Sequence, residues 1–440
     1  MQENKINTQE ILRKLGIEAL KPMQEKCIEA WSENDDIILL SPTGSGKTLA
    51  FLLPLLNQLD ENKNGVQALI LAPSRELAIQ IESVFKSLST PFKVNCCYGG
   101  HAMKIEKNSL STPPAVLIGT PGRIADHLRR ENFSPDSINT IILDEFDKSL
   151  ELGFHREMGQ IIEQLEFIKK RILTSATKSE SIPEFTGVTN PFEINFLVDT
   201  PKESLVEKIV RAEGKDKLAA LFNLICHNGN EATLVFCNHR DTVDRISDLL
   251  KDSHLQHDTF HGGLKQEDRE KALIKFRNGS HQILITTDLA SRGLDIPSIK
   301  HVIHYQLPTT ADAYTHRNGR TARMDASGCS YFVMADSDYL PEFINKDIEE
   351  LIIPDNIVLP EDPEWLTIYI DAGKKDKINK MDIVGCFMKK GELGKDELGK
   401  VEVLDHASFV AIKRNLATQI LRKLKDERIK KKKVKMAVSY

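Results

Sequence analysis

The sequence predicts an α/β fold: two tandem parallel-sheet domains followed by a small α+β domain. Three observations predict it. Apolar runs at 68–72, 115–119 and 138–143 are continuous rather than alternating, as in strands buried on both faces of a parallel sheet. Each run ends in a polar turn that opens a helical segment, and this strand–helix alternation lapses near residue 199 and then restarts. From Trp365 the order becomes strand, helix, strand, strand, helix, strand, and the charge changes sign. That piece holds 19 basic and 10 acidic residues, a net of +9, which leaves −14 for the rest of the 440 residues. At ~150 residues per domain, the length suits three domains.

The composition, 40% hydrophobic and 28% charged, is that of an ordinary soluble chain. No stretch approaches the ~20 apolar residues of a membrane span, and the polar N-terminal residues lack a signal-peptide core. Seven cysteines without a Cys-x-x-Cys pair read as reduced thiols, not as a disulfide framework or a zinc site. A cytoplasmic protein without a membrane partner is expected. A basic tail on an acidic body points to a nucleic-acid or acidic-surface partner, with a merely solvated tail as the open alternative.

Taken in order, residues 11–31 read as a helix, with Ile11, Leu12, Leu15 and Ile28 on one face. Within it, Gln24 could read an adenine edge through its amide donor and acceptor. A short strand then runs into Ser41, Pro42, Thr43, Gly44, Ser45, Gly46, Lys47 and Thr48, followed by an apolar helix. Unpaired amides at such a junction form an anion cradle. Gly44 and Gly46 let the backbone close on phosphate oxygens. Lys47 would reach the β- and γ-phosphates, and Thr48 would ligate Mg²⁺. The strand at 138–143 ends in Asp144, Glu145, Phe146 and Asp147. Asp144 is placed to hold the same Mg²⁺, and Glu145 to orient or deprotonate the attacking water. The run 171–174 leads into Ser175, Ala176 and Thr177.

In the second half, alternation restarts with 232–237, a helix near 241–250, the run 259–263, a helix bearing Gln266 and Arg269, and the run 282–288. No Gly-Lys-Thr occurs here, so this domain has no triphosphate cradle of its own. Arg317, Arg320 and Arg323 lie on a polar segment and read as poor core material. Two of them could neutralise charge on a transferring phosphoryl group, an effect worth ~10³–10⁵ in rate.

These motifs in this order resemble the DEAD-box RNA helicases, from about Gly16 to about Ser337. The likeness rests on Gln24, SPTGSGKT, APSRELA, a Gly-Gly pair, TPGR, an Asp-Glu-x-Asp box, SAT, TTDLASRGLDIP and HRNGRTAR. The resemblance implies two RecA-like domains that close over ATP–Mg²⁺ on one side and single-stranded RNA on the other. It assigns phosphates and Mg²⁺ to Lys47, Thr48 and Asp144, water activation to Glu145, and the fingers to Arg320 and Arg323. Asp295, with Gly293 beside it, would contact the ribose. Asp147, Ser175, Thr177 and His316 would link hydrolysis to closure. On the RNA side it points to Pro73, Arg75, Gly100, Thr120, Arg123, Arg269 and Thr287, through contacts to phosphate and 2′-OH that do not read sequence.

The chain departs from the family pattern in three places. Phe146 stands where the box usually has Ala, Ala322 where Gly is more frequent, and no aromatic precedes Gln24 to stack on adenine. The C-terminal piece has the order of an RRM-like domain, with strands expected at 366–370, 399–404 and 408–412 and a helix at 416–424. It resembles the RNA-binding domain of bacterial DbpA-type helicases, which bind a hairpin of large-subunit ribosomal RNA. Tyr369, Lys374 and Lys375 carry much of that likeness. Tyr369 could stack on a base or simply pack the sheet, and the basic segment 422–435 could carry affinity.

The expected boundaries are 1–198 for the first RecA-like domain, 199–206 for a linker, 207–355 for the second, 356–364 for another linker, and 365–440 for the RRM-like domain. The expected function is an ATP-dependent RNA helicase. It would separate short duplexes on 23S-type ribosomal RNA, single-stranded or duplex, with a pre-ribosomal particle as a further partner. An ATP-gated RNA clamp would use the same motifs, and a DNA helicase is a weaker rival.

Overall fold

A computed structural model describes residues 8–100, 102–178, 182–197, 205–214, 216–290, 299–321, 327–354 and 357–439. The chain divides into two compact units near residue 203.

The first unit is built on seven strands: β1 (Asp36–Leu40), β2 (Ala68–Leu71), β3 (Val94–Cys97), β4 (Val116–Gly119), β5 (Thr140–Leu143), β6 (Lys170–Ser175) and β7 (Phe192–Asn195). All their pairings are parallel, in the order β3-β4-β2-β5-β6-β1-β7. Successive residues of each run feed opposite faces, which is why the runs are continuously apolar. Ile37, Leu39, Ile70, Ile118, Ile142 and Ile172 pack with helices Pro22–Glu33, Lys47–Gln58 and Arg75–Ser87. Leu69, Leu71, Leu117, Ile141, Leu143 and Leu173 pack on the other side with helices Pro121–Arg129 and His155–Ile162.

The single helix expected over 11–31 is instead two, Thr8–Leu15 and Pro22–Glu33. Gly16, at φ +69°, ends the first, and Pro22 starts the second at a position where a missing N–H costs nothing. Phe146 is buried in the second of the two cores, so its bulk is absorbed by apolar packing.

The second unit opens with a six-stranded parallel sheet. Its strands are β8 (Leu205–Arg211), β9 (Thr233–Phe236), β10 (His257–Phe260), β11 (Ile283–Thr286), β12 (His301–His304) and β13 (Gly328–Met334), in the order β10-β11-β9-β12-β13-β8. β8 pairs with β13 from Leu205 onward, so 205–206 belong to the sheet and not to a linker.

The same unit carries a small antiparallel sheet in the order β15-β16-β14-β19. It is formed by β14 (Trp365–Ile370), β15 (Leu398–Val403), β16 (Ser408–Lys413) and β19 (Met436–Val438), while β17 (Arg428–Ile429) and β18 (Lys432–Lys433) make a separate hairpin. Helices Lys380–Gly385 and Ala417–Leu424 cover one face, over Ile368, Ile370, Val410 and Ile412.

Candidate nucleotide and RNA sites

Strand order alone sorts the motifs into two groups. The Gly-Lys-Thr turn follows β1, Ser175 ends β6 and Asp144 follows β5, and these three strands are neighbours. Arg75 follows β2, the Gly99–Gly100 turn follows β3, and Thr120 with Arg123 follows β4; these are neighbours too. Each group lies at the carboxyl ends of its strands, where parallel sheets bind ligands.

The phosphate loop is shaped by two left-handed glycines, Gly44 at φ +79° and Gly46 at +99°. The φ of +99° at Gly46 is one that L side chains rarely adopt, and a Cβ there would also crowd Gln24 Nε2 at 2.7 Å. Lys47 donates through Nζ to Ser41 O at 2.5 Å and to Pro42 O at 3.1 Å. Its ammonium thus sits in the mouth of the loop, on carbonyls that phosphate oxygens can replace. Lys21 Nζ donates to Ser45 O (3.0 Å), and the Ser41 amide donates to Ser175 O (3.0 Å). A backbone cradle with two left-handed glycines, a lysine at its mouth and the Thr48 hydroxyl fits a nucleoside triphosphate with a hard divalent cation.

Gln24 is buried and does two local jobs. Its Oε1 accepts from the Lys21 amide (2.9 Å), capping the helix, and its Nε2 donates to Gly46 O (3.2 Å). It therefore ties the segment before the loop to the loop itself, a role the sequence did not disclose.

Asp144 is 3% exposed, one step beyond the Leu143–Leu173 pair of β5 and β6. Burial pushes its carboxyl above the usual aspartate value, partly opposed by a hydrogen bond from Thr174 and by the charge of Lys47. Thr174 donates to Asp144 Oδ1 (2.5 Å) and accepts the Glu145 amide (3.1 Å). Glu145 adopts φ +47°, a left-handed conformation that L side chains rarely take and that suits a functional position. Asp147 Oδ2 accepts from Thr177 Oγ1 at 2.9 Å, and Thr177 is folded back on Ser175 through a 3.0 Å amide–hydroxyl bond. The acidic box and the Ser-Ala-Thr turn are thus a single hydrogen-bonded piece. Thr174 was not legible as a site residue.

In the RNA-side group, Pro73 precedes Ser74, which caps helix Arg75–Ser87 by accepting the Leu77 amide (3.2 Å). The Arg75 guanidinium lies against Gly99 and Gly100, and Gly100 is held at φ +107°. Thr120 is the cap of helix Pro121–Arg129, with Arg123 in its first turn.

In the second unit, an open depression of about 460 Å³ lies at the ends of β9, β10 and β11, lined by His239, Arg240, His261, Gly262, Gly263 and Thr287. Arg269 is buried and donates to Gln266 Oε1 (2.6 Å). His316 is buried in helix Ala311–Asn318.

The reading of Arg317 as poor core material is overturned: it is the largest fully buried side chain described. It makes a two-pronged pair with Asp288 (2.5 and 2.9 Å), donates to Gln306 O and Asn238 Oδ1 (2.8 Å each), and lies over the Phe236 ring. Satisfied donors allow a guanidinium to be buried. Arg320 is buried as well. Gly293, Asp295 and Arg323 lie outside the described residues.

On the C-terminal sheet, part of the face opposite the helices is engaged by other groups. Tyr369 meets Phe409 edge-on at 5.5 Å, and Phe409 is 1% exposed. The same face carries Thr367, which takes a hydrogen bond from Asn278 (3.1 Å) and shares one with Ser280 (2.5 Å). Arg414 adds a bond to Ser280 O (3.3 Å) and Arg277 an ion pair with Glu402 (3.5 Å). The turn after helix Gln266–Arg277 therefore engages the Thr367 end of the face on which an RRM would show its rings, while Tyr369 stays half-buried. Lys374 and Lys375 remain exposed on a turn fixed by amide bonds to Leu404 O and Asp405 O (2.8 Å each). Within the basic segment 422–435, Lys423, Lys430, Lys432 and Lys433 pair with Glu392, Asp382, Asp376 and Asp426, so part of its charge is neutralised locally.

Three family models match the chain: the DEAD/DEAH box helicase over residues 21–185, the helicase conserved C-terminal domain over 216–325, and the DbpA RNA binding domain over 367–438. The ATP-dependent RNA helicase DbpA of Escherichia coli is 30% identical over 96% of this chain and 94% of its own length. The Bacillus subtilis protein of the same name is 29% identical over 97% and 96%. Among solved structures, S. cerevisiae Dbp5 bound to RNA and ADP BeF3 superposes with a TM-score of 0.67 at 26% identity, covering 74% of this chain and 86% of that one.

Proposed function

We propose, for a chain that belongs to the DEAD-box ATP-dependent RNA helicases and carries their DbpA-type RNA-binding domain, that ATP hydrolysis drives closure on short duplexes of large-subunit ribosomal RNA and their local separation. The setting would be ribosome assembly in the cytoplasm, with a pre-ribosomal particle as the assembled partner. No described helix is long and apolar enough to cross a membrane.

In this reading Lys47 exchanges Ser41 O and Pro42 O for phosphate oxygens, while the amides of the Gly44–Gly46 turn hold the remaining charge. Thr48 and Asp144 would hold Mg²⁺, whose charge neutralises the triphosphate. Glu145 takes the proton of the attacking water, its backbone fixed by Thr174. Through Thr177, Asp147 senses the Ser-Ala-Thr turn. Pro73, Arg75, Gly100, Thr120, Arg123, Arg269 and Thr287 contact the RNA backbone without reading bases.

The observation that carries the ribosomal part is the C-terminal domain itself, net +9 on a body of −14 and matched by the DbpA RNA binding domain. Tyr369, half-buried edge-on against Phe409, contributes packing, and exposed basic groups such as Lys374 and Lys375 carry RNA contact. RNA-stimulated ATPase titrated with ribosomal fragments and unrelated RNAs tests this. One large-subunit fragment should half-saturate the enzyme at a concentration at least tenfold below the others, and replacing Lys374 and Lys375 by Ala should shrink that gap. Equal half-saturation by all RNAs would remove the ribosomal assignment.

A further inference from the structure

Glu106, on helix Met103–Leu110, has no part in the roles above, yet it is one of the few carboxylates that are nearly buried, at 4% exposure. Its two oxygens serve two motifs. Oε1 accepts the amide of Tyr98, the residue that leads into Gly99 and Gly100, at 2.9 Å. Oε2 accepts from Arg123 Nε at 2.5 Å and from His127 Nε2 at 2.7 Å. His127 is wholly buried, and its Nδ1 takes a hydrogen bond from Asn132 Nδ2 (2.9 Å), which leaves the ring proton on Nε2, facing the carboxylate. Burial pushes the Glu106 carboxyl up, but His127, the Tyr98 amide and Arg123 together outweigh it and hold it below the usual glutamate range.

Cys97, Glu106 and His127 could bring three ligand atoms within 4.8 Å of one another. Burial raises the Cys97 thiol far above its ordinary value, and the cation position beside the carboxylate is taken by Arg123. The cluster is therefore an ion-pair hub rather than a metal site.

We propose that Glu106 is the positioning residue of the RNA grip on the first unit, clamping Arg123 and the Gly99–Gly100 turn to one carboxylate so that they meet the RNA backbone as a single surface. This rests on the RNA-side reading of Arg123 and Gly100 given above. A guanidinium held by a charge-assisted bond through Nε has its orientation fixed before the phosphate arrives, which lowers the ordering cost of binding. Arg75 lies against the same two glycines, so the turn is gripped from both sides.

The test is a double-mutant cycle on full-length protein with Glu106→Gln, Arg123→Ala and the pair, reading RNA half-saturation and maximal turnover separately. Glutamine keeps an acceptor for the Tyr98 amide but cannot accept from both Arg123 and His127. Glu106→Gln should raise half-saturating RNA roughly tenfold, the scale of one charged hydrogen bond, with maximal turnover reduced much less. Adding it to Arg123→Ala should cost little more. Full additivity, or unchanged half-saturation in Glu106→Gln, would overturn the proposal. If Arg123→Ala itself leaves half-saturation unchanged, the RNA-side reading fails, and the proposal with it. Zinc copurifying with the wild type and lost in Glu106→Gln would overturn it in favour of a metal site. Should Glu106→Gln unfold the protein, Arg123→Lys replaces it, keeping the charge without the Nε donor; it should show the same rise, and wild-type half-saturation there would equally overturn the clamp.

Discussion

Thr174 holds Asp144: its hydroxyl donates to Oδ1 at 2.5 Å and takes the next amide, that of Glu145, at 3.1 Å. One hydroxyl of β6 thus ties together Asp144 and the backbone of Glu145, the two acids proposed to hold Mg²⁺ and to activate water. Thr174→Val should lower RNA-stimulated turnover ~10–100-fold, the usual cost of losing a partner that orients a metal-binding carboxylate. ATP affinity, measured by fluorescent-nucleotide titration, should change less than turnover.

Glu145→Gln removes the carboxylate proposed to activate water while leaving Lys47, Thr48 and Asp144 in place. Hydrolysis should fall at least a hundredfold, with nucleotide binding nearly intact and a long-lived ATP–RNA complex trapped. Wild-type turnover in that variant would place the base elsewhere.

Arg317 and Arg320 lie three residues apart yet should fail differently. Arg317→Ala breaks a two-pronged pair with Asp288, whose side chain is 33% exposed. Allowing for that solvent access, denaturant unfolding should show a loss of roughly 2–3 kcal/mol. Arg320→Ala should instead depress RNA-stimulated ATPase far more than nucleotide affinity. Equal loss of ATP affinity with unchanged turnover at saturation would place Arg320 in ground-state binding.

Much of this architecture was legible because parallel strands buried on two faces are written as uninterrupted apolar runs. The turns after β1, β5 and β6 announce their chemistry by residue type. Thr174 was hidden because its importance comes from cross-strand register, which the sequence does not print. Arg317 was misread because burial of a guanidinium depends on acceptors distant in sequence, Asp288, Gln306 and Asn238. The sequence left Tyr369 open between stacking and packing, because nothing local reveals that its ring meets Phe409 or that Asn278 and Ser280 bond Thr367 on the same strand. Glu106 was one acid among 64 acidic residues until folding placed Tyr98, Arg123 and His127 around it.

His304 supplies a pH prediction. It is buried between Asn318, Ser330 and the stacked Phe332 ring, and burial, with the charge of Arg317, lowers its pKa to about 3 from 6.5. A depressed histidine binds its proton in the unfolded chain first, so it stabilises the fold above 6.5 and loses that contribution as pH falls toward 3. Between those values this group should remove about 1.4 kcal/mol per pH unit. Denaturant unfolding at pH 5.5 and 4.5 should show that slope, flattened in His304→Gln.

If ATP turnover is spent on parting RNA strands, strand displacement reports it. A labelled RNA duplex of about ten base pairs, short enough for local separation, would be joined to a large-subunit ribosomal RNA fragment. Displacement should be rapid with ATP, absent with ADP, absent beyond a single round with Glu145→Gln, and sharply reduced when the duplex is DNA. Brisk RNA-stimulated ATP turnover with the duplex left intact would contradict it, and would make the protein an ATP-gated RNA clamp.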